Sequence, residues 1–370
     1  MLGKLEEIPE AHKQELENWR PERSNCPELT LMIDNFIKRI PIAWRDVARE
    51  IFVGRVPAGE IQATAWTEKH AGLIELNVQF TWVLSAYVDT YDEFYFATRG
   101  LIEEFYRNGS DPAIEAMAKT LQSRLLDPWD RLDEKKLAWR DPRLIESGTL
   151  ALVQSSRPGR EEARMILVSA CEEYILAHEL AHHLLGHLVK NRGKARAREV
   201  VNGYLRDDEI WKVYSPLNKS QKDEFEADIL AYLLVANGVD RAPEQGYMYR
   251  AVLSSAMTQI ALAHVKEGWV YDAPDATHPN FFQRFSLIQR LTEILSAGMP
   301  RGVIGDHPMS ALGQVETFSA VALHHWRSQV DNEVSPAGIY EVVDLFFKRF
   351  QATSRKIGES YPEGDDGEFD

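Results

Sequence analysis

The most constraining feature of this chain is a run of five residues, His178-Glu179-Leu180-Ala181-His182, set inside a segment that is otherwise apolar. Tyr174, Ile175, Leu184 and Leu185 flank it, and residues 161–188 read as one long helix. Two imidazoles and a carboxylate in such surroundings cost free energy unless each is paired or bound to a metal. A helix advances by about 100° per residue, which puts His178 and His182 one turn apart and about 40° from each other around the axis. So placed, they can grip one zinc ion from the same face. Glu179 lies beside them, displaced around the helix, where it meets a water on the metal and not the metal itself. Zinc lowers the pKa of such a water toward neutrality, and a neighbouring carboxylate can then take its proton. The segment therefore names two metal ligands, His178 and His182, and one general base, Glu179.

A two-histidine site needs a third protein ligand. In one class of zinc peptidases a further histidine follows six residues after the second, with glycine at the third. Those positions hold Leu188 and Leu185 here, which excludes that class. His183 and His187 also stand a turn apart, but on a face well away from that of His178 and His182. His187 reads as a packing residue or as a support for a ligand. The remaining option is a glutamate on a second helix, expected over residues 220–236. Its segment Asp223-Glu224-Phe225-Glu226-Ala227-Asp228 places Glu224 and Asp228 one turn apart, with Ile229, Leu230, Leu233 and Leu234 on the apolar side. Glu224 would complete a His-His-Glu set. Asp228 would accept a hydrogen bond from the far nitrogen of a ligating histidine and so fix its tautomer. Ala227 would let the two helices approach, and Glu226, pointing the opposite way, reads as solvent-facing.

A chain of 370 residues, 44% hydrophobic and 27% charged, belongs to the globular class and is long enough for a sizeable core. Its net charge of -15 argues against nucleic acid as a partner. The longest weakly polar stretch, residues 251–265, is too short and too polar to span a bilayer, and the first seven residues carry no signal-peptide pattern, so no membrane partner is expected. Two distant cysteines, Cys26 and Cys171, supply neither a disulfide framework nor a thiolate zinc site, and a reducing cytoplasm suits them. Cys171 is expected to be a buried free thiol.

Periodicity predicts helices over 27–40 and 44–53, adjacent strands over 60–67 and 72–77, and an aromatic-rich helix over 79–99. Residues 127–143 are the best candidate boundary, residues 150–154 a third strand, and the basic stretch within 190–217 an exposed loop. Helices follow over 246–265, 281–296, 315–329 and 338–353, and the acidic tail 359–370 reads as solvated and disordered. The expected fold class is α+β and predominantly α-helical, with a small sheet. Its expected division is a mostly helical N-terminal region over 1–145, a core holding the metal helix over 146–300, and C-terminal helices with the acidic tail over 301–370.

Past the second helix stand Thr277-His278-Pro279, then Arg284 and Leu287. With H-E-x-x-H, E-x-x-A-D and this third segment in order, the chain resembles the glutamate-ligand zinc peptidases (gluzincins). It is most similar to the catalytic core of the CaaX prenyl protease and heat-shock membrane protease family, over about residues 150–291. The resemblance implies a zincin-like core in which His178, His182 and Glu224 bind one zinc ion and Glu179 is the base. By the same resemblance His278 stabilises the oxyanion and Arg284 buttresses the site. Pro279 disfavours helix at the residue before it, which agrees with His278 projecting from a loop. Two departures stand beside the likeness. That family has transmembrane helices, whereas this sequence offers none and reads as a soluble relative. The motif also ends in aspartate, where soluble repressor-cleaving peptidases more often carry asparagine.

The function expected from these residues is zinc-dependent hydrolysis of a protein or peptide substrate, as an endopeptidase. The substrate would lie extended along an edge strand, for which residues 150–154 are the candidate. Two alternatives stay open: a defence or toxin-type protease silent until a regulatory protein partner binds, and a non-catalytic metal-binding regulatory module.

Overall fold

The computed structural model describes residues 26–56, 63–68, 71–108, 132, 159–189, 193–266, 277–297, 299 and 307–330. The candidate boundary at 127–143, apart from Leu132, the strand at 150–154, the helix at 338–353 and the acidic tail lie outside these residues. Among those described, the protein is mostly helical with one three-stranded sheet. It therefore has the predominantly α-helical, small-sheet character expected of the sequence.

Three elements lead into the sheet: helix α1 (Pro27–Arg39), a 3-10 turn at Ile42–Trp44 and the short helix α2 (Arg45–Arg49). Strands β1 (Ile51–Val56), β2 (Ala63–Glu68) and β3 (Ala71–Asn77) follow, then helix α3 (Val78–Asn108). The strand order is β1-β3-β2, with β1 parallel to β3 and β2 antiparallel to it. The hairpin between β2 and β3 is the pair of strands expected from the alternating pattern. β1 corrects the helix expected over 44–53. That helix ends at Arg49, and Ile51 and Val53 bury one strand face while their backbone pairs with Gly72 to Ile74.

Helix α4 (Glu161–Leu185) carries the histidines and runs through the middle of the molecule. It packs against α7 (Lys219–Val235), α8 (Gln245–Lys266) and α3, and against β2 and β3. Eighteen of its residues are buried, from Arg164 onward, including every one from Ala170 to Leu185. A helix buried on all sides over this length is expected of such a central position. It stops three residues earlier than its apolar pattern suggests. Gly186 adopts φ 72°, the His187 N–H bonds to the His182 carbonyl at 3.0 Å, and the Gly186 N–H bonds to that of His183 at 3.2 Å. This paired arrangement satisfies the last carbonyls of the helix and requires a left-handed residue. Glycine is needed there twice over, because a Cβ would meet the Gly193 backbone nitrogen at 2.6 Å.

Two buried acids on α4, Glu172 and Glu173, pin the N-terminal elements to it. Arg55 of β1 reaches Glu172 with two bonds of 3.0 and 3.1 Å, and Thr81 of α3 donates to the same carboxylate. Glu173 meets Arg39 of α1 and, at 2.5 Å, Arg250 of α8. One hydrophobic cluster joins Phe36, Trp44, Leu76 and Tyr87 from the N-terminal elements with Leu176, Leu230, Ile260 and Phe318. Cys171 is fully buried within it, and burial pushes its thiol up to about 12, so it is an inert packing residue.

The remaining described elements are α5 (Ala195–Tyr204), α6 (Asp208–Tyr214), α9 (Phe281–Ser296) and α10 (Pro308–Val330). The first two correct the exposed loop expected over 190–217. Ala197, Val201 and Ile210 are buried, and Lys194, Arg196 and Arg198 are engaged. Lys194 bonds to Asp46 at 2.6 Å, Arg196 to Asp240 at 2.8 Å, and Arg198 to the Leu185 carbonyl at 2.8 Å. No described helix is long and apolar enough to cross a membrane.

Candidate metal centre

Two helices build the centre, and each is started or stopped by a specific local signal. α4 delivers His178, Glu179 and His182 from its last two turns. α7 begins at a capping box in which the Asn218 side chain accepts from the Gln221 N–H while Gln221 bonds back to the Asn218 N–H. That start sets the phase of α7, so that Glu224 and Asp228 fall on the face turned to α4.

His178 Nε2 and His182 Nε2 lie 3.2 Å apart. Glu224 reaches both: Oε2 is 3.1 Å from His178 Nε2, and Oε1 is 3.4 Å from His182 Nε2. The three donor atoms fall within 4.8 Å of one another, and the group can hold a metal ion. The expected trio is therefore brought together.

Asp228 stands behind the first histidine, its Oδ1 2.9 Å from His178 Nδ1. The same carboxylate accepts from Tyr174 Oη at 3.0 Å and from Arg284 through two bonds of 2.6 and 2.5 Å. Arg284 comes from α9, whose first turn is fixed by a second capping box between Asn280 and Gln283. Burial alone would raise the Asp228 carboxyl, but the Arg284 guanidinium and His178 outweigh it and hold Asp228 below the usual carboxylate range. Burial likewise opposes charge on His178. The Asp228 carboxylate 2.9 Å away, then Glu224, overcome that and push the imidazole up to about 10. Glu224 is held far below its ordinary range, because His178 and His182 outweigh the effect of burial. Two carboxylates on opposite nitrogens of one imidazole demand positive charge between them, which a proton or a metal ion can supply.

Glu179 is buried beside the trio without belonging to it. Burial raises its carboxyl, the two histidines lower it, Glu224 raises it again, and the net shift is upward. The Ala65 N–H of β2 also donates to it. A carboxylate with a raised pKa, facing a cleft, suits transfer of a proton near neutral pH.

His278 lies on the loop before α9, as expected. Its side chain is 55% exposed and its Nε2 stands 3.3 Å from Glu224 Oε2. A cleft of about 510 Å³ opens over these groups. Ala63, Thr64 and Ala65 of β2 line it, and Phe80, Ile175, Leu262 and Ala263 supply apolar lining.

Two residues depart from expectation. Glu226 is not turned to solvent: it accepts from Tyr214 Oη at 2.5 Å and lies 3.4 Å from His187 Nε2. His187 is not on the helix at all. The turn at Gly186 folds it back until its Nδ1 is 3.0 Å from His182 Nδ1. His183 points elsewhere, toward the Leu73 carbonyl at 3.4 Å, and burial drives its pKa down to about 4. Gly186 is the one signal in the sequence that brings His187 beside His182, because a glycine after a long apolar helix marks its end.

Comparison with family models, with curated proteins and with solved structures finds no match to this chain.

Proposed function

We propose that this protein is a zinc-dependent endopeptidase with a zincin-like core. The observation that carries the reading is the placement of Glu179, a buried base at the edge of a three-donor set and open to the same cleft. Four-coordinate zinc with bonds of about 2.0–2.1 Å sets its ligand atoms roughly 3.3–3.4 Å apart. The observed separations of 3.2, 3.1 and 3.4 Å fit that size, and two imidazoles with one carboxylate are a zinc donor set. Held there, zinc would supply Lewis acidity toward water and the scissile carbonyl.

The chain's own residues divide the remaining work. Asp228 holds His178 with Nε2 turned to the donors, and Arg284 keeps Asp228 ionised and in place. Glu179 takes the proton of the attacking water and passes it to the leaving amine. His278 donates from the loop as negative charge grows on the carbonyl oxygen. Among the described residues β2 pairs only with β3, and Ala63, Thr64 and Ala65 line the cleft. Its edge away from β3 suits an extended substrate held by main-chain hydrogen bonds. Residues 150–154, the edge expected from the sequence, lie outside the described residues, and β2 takes the role.

The test is metal content by plasma mass spectrometry together with peptide cleavage, on wild type, His178→Ala and Glu179→Gln. About one zinc per chain is expected in wild type and Glu179→Gln, none in His178→Ala, and cleavage in wild type alone. A wild type that takes up no zinc after incubation with it, free of chelator, would refute the reading.

A further inference from the structure

Resting on the zinc reading above, we propose that His187 is a positioning residue, which sets the tautomer and orientation of His182 and connects it to the Glu226 carboxylate. Gly186 ends α4 in the left-handed region, and the next residue, His187, folds back with its N–H on the His182 carbonyl at 3.0 Å. The two rings then meet at 68° with centroids 5.2 Å apart.

Proton bookkeeping fixes the rest. His182 turns Nε2 toward His178 and Glu224, so a metal ion held there would take the lone pair on that nitrogen. Its one N–H then sits on Nδ1, and His187 Nδ1 stands 3.0 Å away to accept it. Accepting at Nδ1 leaves the His187 proton on Nε2, which faces Glu226 Oε2 at 3.4 Å. The other oxygen of Glu226 accepts from Tyr214 Oη. Each N–H in the chain has an acceptor, and the chain ends on a carboxylate.

His187 cannot itself be a ligand in this arrangement, because it lies against the far nitrogen of His182. The two histidine ligands are thus supported differently. His178 has Asp228 directly behind it, whereas His182 reaches its carboxylate through a second imidazole. Partners of this kind raise ligand basicity and hold ring orientation, and their loss typically weakens metal binding about 10–100-fold.

The experiment measures zinc affinity by chelator competition on the full chain, for wild type, His187→Leu and His187→Gln, with thermal melts of the metal-free proteins. Cobalt absorption spectra give a second readout at the metal. Leucine fills the space without accepting a proton and should weaken zinc binding by about 10–100-fold and alter the cobalt bands. Glutamine offers an oxygen to His182 and an N–H to Glu226, and should recover most of the loss. Wild-type affinity in His187→Leu, or equal weakening in folded Leu and Gln variants, would overturn the role. If His187→Leu does not fold, Glu226→Gln replaces it: weaker zinc binding is expected, and unchanged binding counts against the proposal. A wild type that binds no zinc would bring down the metal centre and this role together, which is distinct from a wild type and a leucine variant that bind equally well.

Discussion

Arg284 holds both oxygens of Asp228, at 2.6 and 2.5 Å, at a point where both residues are buried. Asp228 in turn lies 2.9 Å from His178 Nδ1, so the guanidinium acts on the metal centre through one carboxylate. Removing one partner of a buried pair leaves the other charge uncompensated. Arg284→Met should therefore cost about 3–5 kcal/mol of stability in denaturant unfolding. Asp228→Asn should weaken zinc binding by about 10–100-fold while the fold survives. A variant Asp228→Asn with wild-type zinc affinity would show that His178 needs no carboxylate behind it.

Zinc binding should depend on pH in a definite direction. In the metal-free protein His178 is raised to about 10, so at neutral pH it carries a proton that a metal must displace. Glu224 is lowered and is already ionised, so it releases none. At least one proton leaves per ion bound, and the zinc association constant should rise by about tenfold or more per pH unit across pH 6.5–8.5. The metal-free protein should show the opposite trend in stability. A raised imidazole contributes fully below its unfolded value of about 6.5 and loses that contribution as pH climbs toward about 10. Chelator competition and metal-free melts over this window check both signs, and a flat zinc affinity would contradict the proton count.

His278 differs from the other site residues in being more than half exposed, with its Nε2 3.3 Å from Glu224 Oε2. Its work in the proposed reaction falls in the transition state, where an N–H donor to the oxyanion is worth about 10²–10³ in kcat. His278→Ala should lose that factor while zinc content stays at the wild-type level. His278→Gln, which keeps a donor, should fall between the two. A variant His278→Ala that loses its zinc instead would reassign this histidine to the metal.

Much of the centre was legible because helical spacing is a local property. His178, His182, Glu179, Glu224 and Asp228 lie within two segments, and counting residues around each axis sufficed to put them on shared faces. What escaped depends on distant or irregular backbone. β1 looked helical because Ile51-Phe52-Val53 is a short apolar run with no clear period, and its partner β3 begins about twenty residues later. Glu172 and Arg55 are 117 positions apart, so nothing local announces that a buried acid will be paired. Glu226 seemed to face water because the helix wheel places it opposite Glu224. That face is in fact covered by Tyr214 of α6 and by His187 after its turn. The basic stretch around Lys194 to Arg198 hid the start of α5, since few apolar residues mark its buried side.

The apolar wall of the cleft leads to a prediction about substrate choice. Phe80, Ile175, Leu262 and Ala263 lie within one cleft with Glu179 and the three metal donors. A side chain adjacent to the scissile bond would enter between them, and burying each methylene there favours transition-state binding by roughly 1 kcal/mol or more. Cleavage of a peptide library should therefore favour leucine or phenylalanine over alanine and charged residues beside the cut. Leu262→Trp should fill the space and reverse that order toward small side chains, lowering kcat/KM for the leucine peptide by about tenfold or more. Zinc content must stay at the wild-type level for the result to bear on the wall, since Leu262 is not one of the three donors. If the library shows no preference at that position, or if Leu262→Trp leaves the preference unchanged, this wall does not select the substrate.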